Sequence, residues 1–339
     1  MPRAFVTGLS GAVPTAAERD FLRAADPWGL ILFRRNIEDP EQLTRLVAEV
    51  RDVLGRRAPV LIDQEGGRVQ RMGAPHWRRY PSAARLAAAA DLVADPALVR
   101  DVARLMAGDL AAVGIDVDCA PCLDLASPGT TPAIGDRSFG GDPARVAACG
   151  RAVADGLLAG GVLPVIKHLP GHGRARVDSH HELPVVHAPA GDLLALDFAP
   201  FVALSDLPAA MTAHLVYTAI DPARPATQSP VVIGEVIRGL IGFDGLLFSD
   251  DLSMNALEGD LGERARRALA AGCDVALHCN GDIAEMEAVA AAAPVLAGRS
   301  AARAEAALAR IGTPDDADLD AIAARMTAAL AAHDAAAGI

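Results

Sequence analysis

The sequence predicts a (β/α)8 barrel of the TIM type in a single domain, and two observations carry that expectation. Eight short apolar runs alternate with amphipathic helical segments, which indicates parallel β/α architecture. Eight is the number of strands that closes such a barrel, and 339 residues fit one with modest insertions. A doubly wound open sheet would want a glycine-rich phosphate turn directly after its first strand, and "TGLSGAVPT" is a poor match to one.

The strand-like runs are "AFVTGL" (4–9), "GLILF" (29–33), "PVLID" (59–63), "GIDVDCAP" (114–121), "VLPVIKH" (162–168), "AAMTAHLV" (209–216), "GLLFSD" (245–250) and "CDVALHC" (273–279). Between them lie helical patterns such as "TAAERDFLRAA", "DPEQLTRLVAEVRDVLG" and "GERARRALAAG". Asp39 before Pro40 reads as an N-cap with proline at the first helical position, and Gly55 and Gly272 read as helix stops. The whole of 1–339 is expected to be one catalytic barrel. Its alanine-rich end, about 313–339, forms a helical tail whose role the sequence leaves open.

Composition narrows the function classes. Hydrophobic residues make up 52% of the chain, enough for a large core, and the net charge of −12 argues against nucleic-acid or anionic-membrane partners. No uncharged apolar run is long enough to cross a bilayer, and the N-terminus does not read as a signal peptide. Five cysteines, an odd number, fit a reducing compartment, and a cytoplasmic location is expected. A monomer is expected as well. Cys119 and Cys122 form a C-x-x-C, but within an apolar strand and with no second pair, so they read as buried, inert thiols.

Barrel enzymes place their chemistry at the C-terminal ends of the strands, and polar groups collect at those positions here. Strand three runs into "IDQEGGRVQR", with Asp63, Glu65, Arg68 and Arg71 around Gly66-Gly67. Strand four leads to Asp124, Asp136 and Arg137, strand six carries His214, strand seven ends in Asp250-Asp251, and strand eight ends near His278 and Asn280. Strand five ends in Lys167-His168, and Lys167 is the only lysine in a chain with thirty arginines. Any one of these residues reads equally as a cap or a solvated charge. Together they make a pocket in which cations and carboxylates converge, as an enzyme needs.

The loop after Lys167-His168 holds Pro170-Gly171-His172-Gly173, read as a turn with freedom to move, and then Asp178-Ser179-His180. A carboxylate beside an imidazole fixes its tautomer and favours the protonated ring, which suits a general acid. Arg174 and Arg176, between the glycines and Asp178, read as solvated loop charges.

Five motifs, "IDQEGGRVQR" (62–71), "GDRSFG" (135–140), "KHLPGHG" (167–173), "DSHHELP" (178–184) and "FSDDLSM" (248–254), together resemble the family 3 glycoside hydrolases, specifically bacterial β-N-acetylhexosaminidases of one barrel domain. The resemblance spans about residues 4 to 290. It implies that Asp250 is the nucleophile, His180 the acid/base and Asp178 its orienting partner, with Asp63, Arg71, Arg137, Lys167 and His168 gripping an N-acetylglucosamine ring. It implies a retaining double displacement with no metal or organic cofactor, on small carbohydrate substrates, and a place in cell-wall recycling acting on muropeptides. One feature departs from the usual pair of carboxyl groups, because the acid/base is an imidazole. A neutral ring adds no negative charge beside an attacking anion, so phosphorolysis stands as an alternative, along with another family 3 type glycosidase.

Rival readings from other classes are a Schiff-base lyase on Lys167, a metallohydrolase on His168, His172, His180 and His181, and a sugar-binding barrel without catalysis. The lyase needs an apolar setting for its lysine, and the histidine spacing matches no common zinc pattern.

Overall fold

The computed structural model describes residues 1–338. Eight strands form a ring: β1 (Arg3–Thr7), β2 (Pro27–Leu32), β3 (Val60–Ile62), β4 (Val117–Asp118), β5 (Leu163–Pro164 with Ile166–Leu169), β6 (Ala209–Thr212), β7 (Leu246–Asp251) and β8 (Val275–Leu277). Each pairs in parallel with its neighbours, and β1 against β8 completes the circuit. β5 is split, with Leu163–Pro164 on β4 and Ile166–Leu169 on β6, so the one strand faces both neighbours in separate stretches. All eight runs read from the sequence contain a strand. The run at 114–121 shortens to two residues, and the run at 209–216 ends at Thr212 before the chain leaves the barrel.

Alternation of side chains across the strands splits the apolar residues into two cores. Ala4, Val6, Ile31, Leu61, Val165, Met211, Phe248 and Leu277 point inward and fill the barrel. Phe5, Leu30, Leu32, Val60, Ile62 and Leu247 point outward beneath the helices. Trp28 and Phe248 pack inside with ring centroids 5.4 Å apart. Below them the helix Gly298–Leu308 turns a face of Ala301, Ala304 and Ala307 into the interior core and closes that end.

The helix boundaries follow local chemistry. Thr15 and Glu18 form a reciprocal capping box at Ala16–Ala25, Asp39 caps Pro40–Leu54 through Gln42 N, and Gly55 and Gly272 end their helices in the left-handed conformation. The end of the chain forms the helix Leu319–Ala337, which buries Ile322, Met326 and Ala329. Ion pairs of Arg85 with Asp334, Arg325 with Asp101, and Arg104 with Asp315 tie this region to the helices Ala83–Leu92 and Leu98–Ala112. Among the described residues no helix is long and apolar enough to cross a membrane.

Candidate active site

At the C-terminal ends of the strands lies a pocket of about 310 Å³ whose lining includes all eight residues assigned from the motifs: Asp63, Arg71, Arg137, Lys167, His168, Asp178, His180 and Asp250. Its floor is the top of the interior core, with Ile31, Met211, Leu277 and Cys279 belonging to both. Phe33 forms part of the wall, with the Arg71 guanidinium 5.2 Å over its ring.

One side of the pocket is an interlocked set of charges around the buried Lys167. Lys167 Nζ donates to Asp63 Oδ1 at 2.8 Å and sits 2.5 Å from Glu65 Oε1. Arg71 donates to the other Asp63 oxygen at 3.0 Å. Arg137 holds Glu65 through two parallel bonds of 2.8 Å, the bidentate geometry that a guanidinium favours. Gly66 and Gly67, both with positive φ, turn the chain tightly after Glu65 so that Arg71 folds back over Asp63. Burial alone would raise both carboxyls, but Lys167 and Arg71 hold Asp63 well below the usual range, and Arg137 and Lys167 hold Glu65 at about 2. Burial pulls on Lys167 in the opposite sense, yet the two carboxylates raise it above its ordinary value. A lysine held this firmly as the ammonium is a hydrogen-bond donor and not the nucleophile that the lyase reading requires.

Asp124 organises the next layer. Its Oδ2 meets His168 Nδ1 at 2.6 Å and accepts from Cys122 Sγ at 3.2 Å, while Oδ1 accepts from His172 N at 2.6 Å. His168 Nε2 is thereby turned toward Arg137 Nη2, 3.4 Å away. Burial raises Asp124, and His168 and His172 outweigh it, leaving the carboxyl below its ordinary value. The donor atoms of Cys122, Asp124 and His168 lie within 4.8 Å of one another, each already engaged in this network. Burial pushes the Cys119 and Cys122 thiols well up, as befits inert core cysteines.

Asp250 ends β7 with its Oδ1 accepting from Asp251 N at 2.8 Å. Burial works to raise its carboxyl, but His214, His168 and that backbone N–H bring it below its ordinary value, so it is an anion. Asp251, also in the lining, accepts from Ser253 Oγ at 2.6 Å and Cys279 N at 3.2 Å. His214 bridges Thr227 Oγ1 at 2.8 Å and the Asp251 carbonyl at 2.9 Å, fixing the end of β7.

Across the mouth, Asp178 Oδ1 accepts from His180 N at 2.9 Å and meets His180 Nδ1 at 2.7 Å, which leaves Nε2 for a substrate. The His180 side chain is 64% exposed, in contrast to the charges on the floor.

Three sequence expectations need correction. The Gly171–Gly173 turn is packed, not free to move: a Cβ at Gly171 would meet the Asp197 carbonyl at 2.9 Å, and one at Gly173 the Leu125 carbonyl at 2.1 Å, so glycine is required by close approach. Arg174 is not a solvated charge, because its Nε pairs with the buried Asp197 at 2.6 Å; Arg176 is exposed as expected. Of the polar strand-end residues expected to make the pocket, Asp124, Asp136, His214, Asn280 and His278 are not in its lining; His278 is fully buried, with its Nε2 3.6 Å from Glu285. Glu65, Asp124 and His214 read from the sequence as polar groups at strand ends, with no role assigned by the motifs. Glu65 carried the most legible signal, because it lies two residues from Asp63 beside the glycine pair. His172, part of the G-H-G turn, lines the pocket with both ring nitrogens buried and unpartnered, and its place in the motif gives it no role.

The glycosyl hydrolase family 3 N-terminal domain matches residues 9–313. The chain belongs to this family. It is a glycoside hydrolase. It is 44% identical over 283 residues to a β-hexosaminidase of Alkalilimnicola ehrlichii, covering 80% of this chain and 79% of that one. It is 40% identical over 285 residues to a β-hexosaminidase of Pseudomonas aeruginosa, covering 83% of each. Its fold is similar to that of NagZ from Neisseria gonorrhoeae in complex with N-trifluoroacetyl-D-glucosamine, with a TM-score of 0.83 and 34% identity over 100% of this chain and 98% of that one.

Proposed function

We propose that this glycoside hydrolase is a retaining exo-β-N-acetylglucosaminidase. In this reading it removes the non-reducing terminal N-acetylglucosamine from muropeptides during cell-wall recycling in the cytoplasm, acting as a monomer. The observation that carries the reading is the convergence of an ionised Asp250 and the Asp178-His180 pair on one pocket with the Asp63, Lys167, Arg71, Arg137 and His168 cluster. The hexosaminidase names of the relatives and the N-acylated sugar in the Neisseria complex support the substrate class.

In this mechanism the five cluster residues hold the sugar hydroxyls and acetamido group. Carboxylate oxygens of Asp63 accept from hydroxyls, and the remaining Lys167 hydrogen and the guanidinium hydrogens donate. The Asp250 carboxylate attacks the anomeric carbon as the bond to the aglycone oxygen breaks, and His180 Nε2 gives that oxygen its proton. Water then attacks the glycosyl ester, His180 takes the water proton, and Asp250 leaves as the carboxylate. Asp178 holds Nδ1 throughout, so that the proton moves at Nε2.

The test is release of nitrophenol from nitrophenyl N-acetyl-β-glucosaminide by wild type, Asp250→Asn and His180→Ala, with chelator present. Activity in wild type and its loss in Asp250→Asn are expected. An inactive wild type on this and on the matching glucoside and xyloside would return the chain to a sugar-binding barrel. Adding inorganic phosphate separates the alternative, since a sugar 1-phosphate product would make the enzyme a phosphorylase.

A further inference from the structure

Arg174 stands immediately after the G-H-G turn, six residues before His180, and it is absent from the lining of the pocket. Its Nε meets Asp197 Oδ2 at 2.6 Å, and the Asp197 side chain is only 5% exposed. Asp197 closes the wide helical turn Leu193–Asp197 that follows β5, and its backbone packs directly on Gly171. The same short stretch is fixed by three more contacts. Tyr217 donates its hydroxyl to the Gly171 carbonyl, Thr130 Oγ1 donates to the Gly173 carbonyl at 2.6 Å, and Thr131 N donates to the fully buried Ala175 at 2.8 Å. Beyond Ala175 the chain becomes more open, and its next tie to the barrel is Ala256 N donating to the Ser179 carbonyl at 3.2 Å. The arm that carries Asp178 and His180 is therefore anchored at its root, and the anchor contributed by a side chain of the arm itself is Arg174.

We propose that Arg174, through its ion pair with Asp197, is a positioning residue that sets where the His180 arm places its proton donor and so governs catalysis on poor leaving groups. The proposal rests on the reading of His180 as the acid/base. Loss of the Arg174 guanidinium leaves a buried carboxylate without its cation at the root of the arm. The root then rearranges, and the imidazole spends less time within reach of the leaving oxygen. Bond cleavage to an activated leaving group needs no proton, whereas cleavage to a basic one does, so the defect grows with leaving-group basicity.

The experiment measures kcat/KM for a series of aryl N-acetyl-β-glucosaminides, from dinitrophenyl to unsubstituted phenyl, with wild type, His180→Ala, Arg174→Ala, Arg174→Lys and Asp197→Asn. A general acid is worth about 10²–10⁴-fold, so a misplaced one is expected to cost about tenfold on the phenyl substrate and under about threefold on the dinitrophenyl one. Arg174→Lys restores most of the loss, and Asp197→Asn shows the same trend more weakly. The ratio of the two substrates within one preparation does not depend on the fraction that is folded, so a loss of stability does not imitate the result. If Arg174→Ala does not fold, Arg174→Lys and Asp197→Asn are read in the same way. A flat ratio in the Arg174 and Asp197 variants beside a steep one in His180→Ala overturns the positioning role and leaves the function standing. A flat ratio in His180→Ala overturns the acid/base reading itself, and the proposal with it.

Discussion

The two sides of the pocket are built on opposite plans. On one, Lys167 is buried, Asp63, Glu65 and Arg137 are largely shielded, and each is held by at least one opposite charge. On the other, His180 is largely exposed and depends on one carboxylate two residues away. Charges that must grip a neutral sugar benefit from being fixed before it arrives, because no reorganisation is then left for the binding step. If His180 is the acid/base, as proposed, it gives and then retrieves a proton and must admit a leaving group and later a water, which fits a place where the chain can yield.

The sharpest way to break this comparison is at Asp250, which stands between the two sides. Asp250→Asn removes the anion without changing size, and hydrolysis is expected to fall on the order of 10³-fold or more by steady-state rates. A near-normal rate would place the nucleophile elsewhere. Lys167→Met tests the interlocked side. It leaves Asp63 and Glu65 buried without their shared ammonium, so urea denaturation is expected to show a loss of about 3–5 kcal/mol, together with loss of sugar binding. Retained stability would mean that the cluster is not energetically shared.

The pH dependence sharpens the same point at His172. Burial lowers its pKa to about 4 from the ordinary 6.5, so the unfolded chain takes up the proton first as pH falls. Its contribution to stability is complete above pH 6.5 and is lost between there and pH 4, by about 3 kcal/mol. His172→Gln should flatten that part of the stability–pH curve relative to wild type, and parallel curves would show that the ring is not held neutral. The smallest effect belongs to the open side. Asp178→Ala frees the His180 tautomer while leaving the ring in place, and about a tenfold loss in kcat/KM is expected on a phenyl leaving group. A change confined to KM would instead assign Asp178 to sugar binding.

Most of the ring of strands was legible because inward and outward residues alternate on a period of two and helices intervene with recognisable caps. The eight residues that line the pocket together were legible because each falls within a motif, at a strand end or on the loop that follows one. The pairing among them was not. Asp63 meets Lys167 across 104 positions, and Asp124 meets His168 across 44, so their partnership exists only once the barrel closes. The misreading at Gly171 and Gly173 has the same origin. A glycine needed for flexibility and one needed because a carbonyl passes within 3 Å look identical in sequence. Arg174 was misread for the converse reason, since Asp197 lies beyond the whole catalytic loop.

The alanine face of Gly298–Leu308 and the interior core above it seal the barrel beneath the pocket. The cavity is therefore a blind alley with one door, and a blind alley empties in the reverse of the order in which it filled. In the proposed function the sugar enters first and sits deepest, and the aglycone stands in the doorway. Under the proposed mechanism the aglycone must leave before water can reach the glycosyl ester, and the sugar is last out. Free N-acetylglucosamine is then expected to compete directly with substrate, while the departed aglycone, at high concentration, re-enters to intercept the ester in place of water.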